Sequence, residues 1–389
     1  MTSGPAEDRP PRARPDACPG ALQVHRAADG GLARIRVPGG VLTAVQLRVL
    51  GAAARDLGDG ALELTSRGNL QLRGLPPGAE RELGGRLAAA GLLPSETHER
   101  VRNVLASVLS GRTGGLLDVR PWVSDFDARL CADPELAELP GRYLAAFDDG
   151  RGDVAGLGAD VGLLGLDDST VALLLAGVDS GVRTTPDGAV GLALAATRAF
   201  HRERAVQGAT AWRLVELAEG PVRVAATLGD STSARVAVAP APPTGPAGAV
   251  PQDDGRTALV AVVPLGRLTA HQAELLADTA VTELQVTPWR SVVVPDLTGA
   301  AAAASLSAAG LVLDPASPWL AVTACAGRPG CAKSLADVRG DAARAVATGT
   351  LPLRDVRQHW SGCERRCGRP QRDVVDVVAT GDGYRIAAT

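Results

Sequence analysis

Two stretches of the chain repeat one pattern of apolar and polar positions. The first, Ala33 to Leu75, runs ARIRVPGGVLTAVQLRVLGAAARDLGDGALELTSRGNLQLRGL. The second, Ala258 to Leu297, runs ALVAVVPLGRLTAHQAELLADTAVTELQVTPWRSVVVPDL. Each reads as an apolar strand, Pro and Gly, a Leu-Thr pair, a Gln three residues after the Thr, an apolar helix, and a closing strand region with Thr and Arg. Thr43 and Gln46 match Thr269 and Gln272 at an offset of 226 residues, and Thr65 matches Thr287 at 222. Thr43 and Thr269 are predicted N-caps, whose side-chain oxygens satisfy free N–H groups of the first turn. Leu47, Leu50 and Ala54 then recur at helical spacing. Leu62 and Leu64, then Leu70 and Leu72, alternate as in a half-buried strand. One such unit has too little apolar surface to stand alone. The pattern therefore predicts an α+β layer in which two units, distant in sequence, pair into a single sheet with helices on one face.

The rest of the chain divides around these units. Residues 1–20, MTSGPAEDRPPRARPDACPG, are dominated by Pro and charge and predict a disordered tail with no secretory signal. The first unit belongs to a segment 21–80, and the second to 256–310. A domain is expected at 91–238 and another at 311–389. The run 239–255, with APAPPTGPAGAVPQDDG, reads as a linker. The alternation of half-unit, domain, linker, half-unit and domain predicts a pseudo-twofold arrangement with a central site.

Charge excludes some functions. The 40 Lys and Arg against 43 Asp and Glu leave a net charge of −3, which rules out bulk-charge binding to nucleic acid or anionic lipid. Lys333 is the sole lysine, so arginine abundance reflects codon bias and each Arg must be argued from its position. No apolar stretch reaches the roughly 18–20 residues of a membrane span. Ala300–Leu313 reads as a surface or half-buried helix. The expected compartment is the reducing cytoplasm, where six cysteines point to ligands or core residues rather than disulfides.

Four of the cysteines form a pattern. Cys325 and Cys331 are separated by five residues, Cys363 and Cys367 by three, and the pairs by 31. Both pairs lie in Gly-rich surroundings, TACAGRPGC and SGCERRCG, where the backbone can approach an inorganic cluster and turn N–H groups to sulfur. The first gap is too wide for a zinc knuckle, and the C-x2-C-x2-C run of a bacterial ferredoxin is missing. Two unequal pairs suit a [4Fe–4S] cube; four unrelated buried cysteines are the alternative. Cys18 and Cys131 are expected to be free thiols without a role. Asp148 to Asp160, DDGRGDVAGLGAD, lacks both the oxygen spacing of an EF-hand and a G-x-G-x-x-G fingerprint, and reads as a loop near the site.

With the Cys pairs, the repeat, and the motifs RIRVPGG, LTSRGNLQLRG and RVRNVLAS in order, the chain resembles the sirohaem sulfite and nitrite reductase superfamily over nearly all of 22–389. The resemblance implies an α+β fold in which duplicated ferredoxin-like half-domains form one platform. Two nitrite/sulfite reductase-type domains, binding a 4Fe–4S cluster and a tetrapyrrole, complete it with pseudo-twofold symmetry. It implies [4Fe–4S] ligation by Cys325, Cys331, Cys363 and Cys367, with Cys367 as the bridge to a sirohaem iron where one is bound. A uroporphyrin-derived ring carries eight carboxylates, which Arg forks hold bidentately. The matching candidates are Arg34 and Arg36 on one strand face, Arg67, Arg73, Arg102 and Arg290, with amide bonds from Asn69, Gln71 and Asn103. Arg290 is expected at the repeat-equivalent place of Arg67.

One segment departs from that superfamily. Its sulfite reductases carry two lysines in a Leu-Pro-Arg-Lys-Phe-Lys-like segment; here Leu139 to Leu144 read Leu, Pro, Gly, Arg, Tyr, Leu. Arg142 keeps one charge and joins the candidates for binding the substrate or tetrapyrrole, but Leu144 cannot supply protons to an anion being reduced. The short chain, with TPWR and HWSGC, is similar to the precorrin-3B synthase family. That likeness implies oxygen-dependent hydroxylation of precorrin-3A at C20 with γ-lactone formation, in aerobic cobalamin synthesis. It also implies a non-haem iron, for which His359 is the candidate ligand or proton donor; His25, His98, His201 and His271 show no 2-His-1-carboxylate spacing. Without an NAD(P)H domain, electrons are expected from a separate donor such as ferredoxin or an NAD(P)H-dependent reductase. The other readings are a sirohaem-dependent sulfite or nitrite reductase, and an electron-transfer subunit or tetrapyrrole carrier.

Overall fold

A computed structural model describes residues 16, 18–229, 233–353, 356–370 and 373–387. The predicted disordered tail lies largely outside these. Its described end is ordered, however: Gly20 accepts a backbone hydrogen bond from Arg34, and Cys18 packs beside Arg34 and Arg36.

The first half-unit contains β1 (His25–Ala27), β2 (Gly30–Ile35), β3 (Val41–Thr43), α1 (Ala44–Leu57), β4 (Ala61–Leu64), β5 (Leu70–Leu75) and α2 (Ala79–Ala89). The next domain adds β6 (Val104–Ala106), α3 (Arg120–Cys131), β7 (Ala145–Asp148), β8 (Val161–Gly165), β9 (Val171–Leu175), β10 (Val178–Thr184), α4 (Ala189–Val206) and α5 (Gly220–Ala226). The second half-unit is β11 (Gly248–Pro251), β12 (Thr257–Val262), β13 (Arg267–Thr269), α6 (Ala270–Thr279), β14 (Glu283–Val286), β15 (Ser291–Leu297) and α7 (Ala303–Ala308). The last domain is β16 (Val322–Ala324), α8 (Val338–Thr348), β17 (Gln358–Ser361), β18 (Val375–Thr380) and β19 (Gly383–Ala387). Among the described residues no helix is long and apolar enough to cross a membrane.

Both repeat helices begin with the predicted cap. Thr43 accepts from Gln46 N–H while the Gln46 side chain accepts from Thr43 N–H, and Thr269 and Gln272 do the same. Each such capping box contributes about 1 kcal/mol. The expected single sheet is corrected. The half-units form two five-stranded sheets, ordered β1-β2-β5-β4-β13 and β11-β12-β15-β14-β3. Each lends the other a three-residue strand: Leu268 of β13 faces Leu62 of β4, and Leu42 of β3 faces Leu284 of β14. The tight turns at 38–40 and 264–266 carry each chain out of its own sheet just before the capped helix. One shared core results, with Leu47, Leu50 and Leu62 against Leu259, Leu276 and Val294. Leu50 is fully buried, so truncating it to Ala costs about 2–5 kcal/mol.

The 91–238 region folds around a sheet ordered β10-β9-β8-β7-β6, with β6, β7 and β8 parallel. Phe126 of α3 meets Phe147 of β7 edge-on at 5.2 Å, and Tyr143 stacks on Phe200 of α4. The last domain has parallel β16, β17 and β18 with antiparallel β19. The expected linker is partly sheet, since β11 pairs with β12, and residues 241–246 wall a cavity. In the Ala300–Leu313 stretch the helix is the short α7, which buries Leu306.

Candidate functional site: an arginine-lined cavity beside four thiols

The cysteines converge because two parallel strands end side by side. Ala324 of β16 pairs in register with Trp360 of β17, so Cys325 and Cys363 leave the sheet at the same edge. Cys331 and Cys367 follow on the two loops. Burial raises the Cys367 thiol pKa; nearby Arg365 opposes this, while Cys325, Cys363 and Cys331 reinforce it, so all four sulfurs share one neighbourhood. All four thiols are free. Gly362 donates its N–H to Cys325 Sγ at 3.2 Å, as the glycine-rich setting predicted. A Cβ at Gly362 would meet Ser334 Oγ at 1.8 Å, so no other residue fits this approach. Among the described residues no three His, Cys, Asp or Glu side chains converge on a single ion. The Gly362 N–H turned to Cys325 Sγ is the kind of donor that a cluster's sulfur accepts, and these four cysteines are the residues that would hold a [4Fe–4S] cluster.

Next to the Cys367 loop lies a cavity of about 300 Å³ lined from all four parts of the fold. Arg67 comes from the first half-unit, Leu144 and Arg213 from the 91–238 domain, Trp289 and Arg290 from the second half-unit, and Thr323, Arg357 and Arg369 from the last domain. Among the described residues five guanidiniums line it against one carboxylate, Asp373. Arg213 is held by Asp160 at 2.8 Å and Arg369 by Asp376 at 2.9 Å. The guanidinium of Arg67 has no hydrogen-bond or ion-pair partner among the described residues. Burial lowers its pKa to about 10, and Arg213 adds to the shift. Among the described residues Arg290 donates only to the carbonyl of Gly368, at 3.3 Å; burial and then Arg339 lower its pKa. Both guanidiniums are part-exposed and carry donors that the described residues leave unused, which an anion entering the cavity would meet. Trp289, Trp319 and Pro242, Pro243 and Pro246 give it a flat apolar wall.

Several predicted site residues serve elsewhere. Arg102 makes a bidentate pair with Asp127, at 2.7 and 2.6 Å. Arg73 pairs with Asp29 at 2.9 and 3.0 Å and donates to the Gly330 carbonyl. Arg34 donates to Gln71 at 2.9 Å and to Cys18 Sγ, and Gln71 in turn donates to Glu63. Arg36 is 2% exposed, with bonds to Arg100 O, Cys18 Sγ and Pro19 O. Burial lowers its pKa to about 10. Asn69 accepts from Val37 N–H and donates to Asn103, which donates to Arg100 and Gly141 carbonyls. These two amides stitch loops together and offer nothing to the cavity. Arg142 is exposed and lies over the Trp212 ring at 5.3 Å. Cys18 is not idle: two guanidiniums donate to it. Cys131 lies half-buried beside Arg102, and burial raises its thiol to about 11.

His359 does not line the cavity. It is fully buried, and burial, then Arg290, pushes its pKa down to about 4. Its Nε2 lies 3.2 Å from the Cys367 carbonyl, which can only accept, so Nε2 carries the proton. Nδ1 then accepts from Thr323 Oγ1 at 2.9 Å. With both nitrogens engaged by Thr323 and the Cys367 carbonyl, His359 orients the Cys367 loop.

Arg213, Arg357 and Arg369 were missed. Arg357 and Arg369 flank HWSGC and the last cysteine by two residues each, a signal that was available. Arg213 had none, since its partner Asp160 is 53 residues away.

Two sheets with exchanged strands, four cysteines at one strand edge and an arginine-lined cavity give the chain a fold similar to the nitrite/sulfite reductases. A family profile described as the nitrite/sulfite reductase ferredoxin-like half domain matches residues 25–90. The chain is similar to a precorrin-3B synthase of Sinorhizobium sp, 28% identical over 95% of this chain and 82% of that one. It is also similar to a ferredoxin–nitrite reductase of Synechococcus elongatus, 28% identical over 91% of this chain and 77% of that one. The solved NirA structure of Mycobacterium tuberculosis superposes with a TM-score of 0.72, at 22% identity over 92% of this chain and 74% of that one. The fold is that of the nitrite/sulfite reductases, as the motifs implied.

Proposed function

We propose that the protein is a precorrin-3B synthase, which uses dioxygen to hydroxylate precorrin-3A at C20 and close a γ-lactone. The observation that carries this reading is the cavity itself. Arg67, whose guanidinium has no partner among the described residues, Arg290, which donates only to the Gly368 carbonyl among them, and Arg213, Arg357 and Arg369 suit a ring bearing many carboxylates. Where a sulfite reductase would present a second lysine, Leu144 presents an apolar edge, 4% exposed. The likeness to a precorrin-3B synthase over nearly the full chain supports the same reading.

In this reading the guanidiniums orient the substrate by its acetate and propionate edges, while Trp289, Trp319 and the prolines exclude water from its faces. Cys325, Cys331, Cys363 and Cys367 would hold a [4Fe–4S] cluster, which supplies single electrons. The chain holds no NAD(P)H fingerprint, so a separate donor such as ferredoxin or an NAD(P)H-dependent reductase delivers those electrons. Neutral His359 holds the Cys367 loop. One oxygen atom enters the substrate and the other leaves as water.

The test is the colour of protein purified without oxygen. The broad brown absorbance of an iron–sulfur cluster, with saturable binding of a metal-free polycarboxylate tetrapyrrole, is expected. Stoichiometric sirohaem bands would overturn the reading.

A further inference from the structure

The loop bearing the first two cysteines is tied to the half-domain platform by two carboxylate–guanidinium–carbonyl relays. In one, Asp29, in the turn between β1 and β2, holds Arg73, whose Nη2 donates to the Gly330 carbonyl at 2.7 Å. In the other, Glu63 of β4 lies 2.6 Å from Arg339 Nη2, and Arg339 Nε donates to the Cys325 carbonyl at 3.2 Å. Glu63 also stands 3.9 Å from Arg73, so the two relays share a buried acid. The Glu63–Arg339 contact is short but off the donor axis, and therefore chiefly electrostatic.

The contact is built for this. Glu63 is 7% exposed and Arg73 6%, and paired charges are rarely buried so deeply without reason. A Cβ on Gly330 would lie 3.0 Å from Asp29 Oδ2 and 3.1 Å from Arg73 Nη2, so glycine lets the loop sit against the pair.

We propose that Glu63 and Asp29 are positioning residues for the cluster, acting through Arg339 and Arg73. They hold the carbonyls of Cys325 and Gly330 away from the sulfurs and balance the guanidinium charges beside the cluster. The inference rests on the proposed [4Fe–4S] assignment. Groups around a cluster set its potential as well as its retention. With the acid neutralised, the uncompensated guanidiniums favour the reduced cluster, which carries one more negative charge.

The test compares the purified full chain with Glu63→Gln, Arg73→Ala and Arg73→Lys. Cluster potential is followed by redox titration and iron release by a chelator; binding of a metal-free tetrapyrrole is measured alongside. Glu63→Gln, nearly isosteric, should keep the cluster at a more positive potential. Arg73→Ala should release iron about tenfold faster, the loss of one charge-assisted bond, and Arg73→Lys should restore part of it. Tetrapyrrole affinity should stay unchanged in all three. Unaltered potential and iron release in every variant would overturn the inference alone. So would an Arg73→Ala variant that loses tetrapyrrole affinity and keeps parental cluster behaviour. A parent chain that binds no cluster would overturn the cluster assignment and the inference with it.

Discussion

Arg290 occupies the backbone position that Gly68 holds in the other copy of the repeat. Gly68 closes the turn from Thr65 at φ 64°, and Arg290 closes the turn from Thr287 at φ 60°. The expected equivalence of Arg290 with Arg67 is therefore off by one residue. Left-handed backbone is cheap for glycine and costs a side-chain-bearing residue of order 1 kcal/mol. The second copy bears that cost and points a guanidinium into the cavity.

Replacing Arg290 by Gly should relieve the strain and remove the charge. Melting should be unchanged or raised by up to about 1 kcal/mol, while affinity for a polycarboxylate tetrapyrrole falls about ten- to a hundredfold. A thermal melt and a binding titration on the same variant check both. Intact affinity would remove Arg290 from the site.

Arg67 and Arg102 should separate. Arg67→Ala should weaken tetrapyrrole binding about ten- to a hundredfold and leave the fold intact, because the guanidinium has no protein partner to strand. Arg102→Ala leaves Asp127 uncompensated and should cost on the order of 3 kcal/mol of stability, with binding of the surviving folded protein unchanged. Denaturant melts and binding titrations distinguish them; the opposite assignment would mean that the anion site lies elsewhere.

How far the sequence reached follows from which signals are local. The capping boxes were legible because a Thr and a Gln three residues apart make their own bonds. The cysteine edge was legible because the loops are short and Gly-rich. The strand exchange was not, since a three-residue strand carries no periodicity to say which sheet it joins. The amides Asn69 and Asn103 looked like ligands, yet they bond to each other across 34 residues. The prolines of 239–255 marked a linker by composition, but Pro242 accepts from the Trp289 indole and the run walls the cavity.

Leu144 packs with Leu105, Ala146, Val154 and Ala159 and also lines the cavity. Leu144→Lys should cost on the order of 3 kcal/mol of stability through burial of a charge and confer no sulfite or nitrite reduction. Steady-state assays with reduced methyl viologen would reveal any gained turnover, which would contradict the reading of the cavity.

Asp153 gives a pH signature. It is buried beneath Ser107 Oγ and Val108 N–H, and burial raises its pKa to about 6 from an ordinary value near 3.8. A raised carboxyl binds protons better folded than unfolded. Its contribution is therefore fully present below pH 3.8 and is lost as pH rises through about 6. Relative to Asp153→Asn, the parent should lose about 3 kcal/mol between these limits. Urea melts at pH 4, 5, 6 and 7 check the slope; parallel curves for the two proteins would refute it.

The central claim is that the cavity holds a metal-free tetrapyrrole as substrate. Its most direct test is to purify the chain without oxygen, supply precorrin-3A, an electron donor and ¹⁸O₂, and read the product by mass. The expected product is heavier than precorrin-3A by one labelled oxygen atom. An unaltered precorrin-3A pool, together with six-electron reduction of sulfite by the unmodified protein, would contradict it.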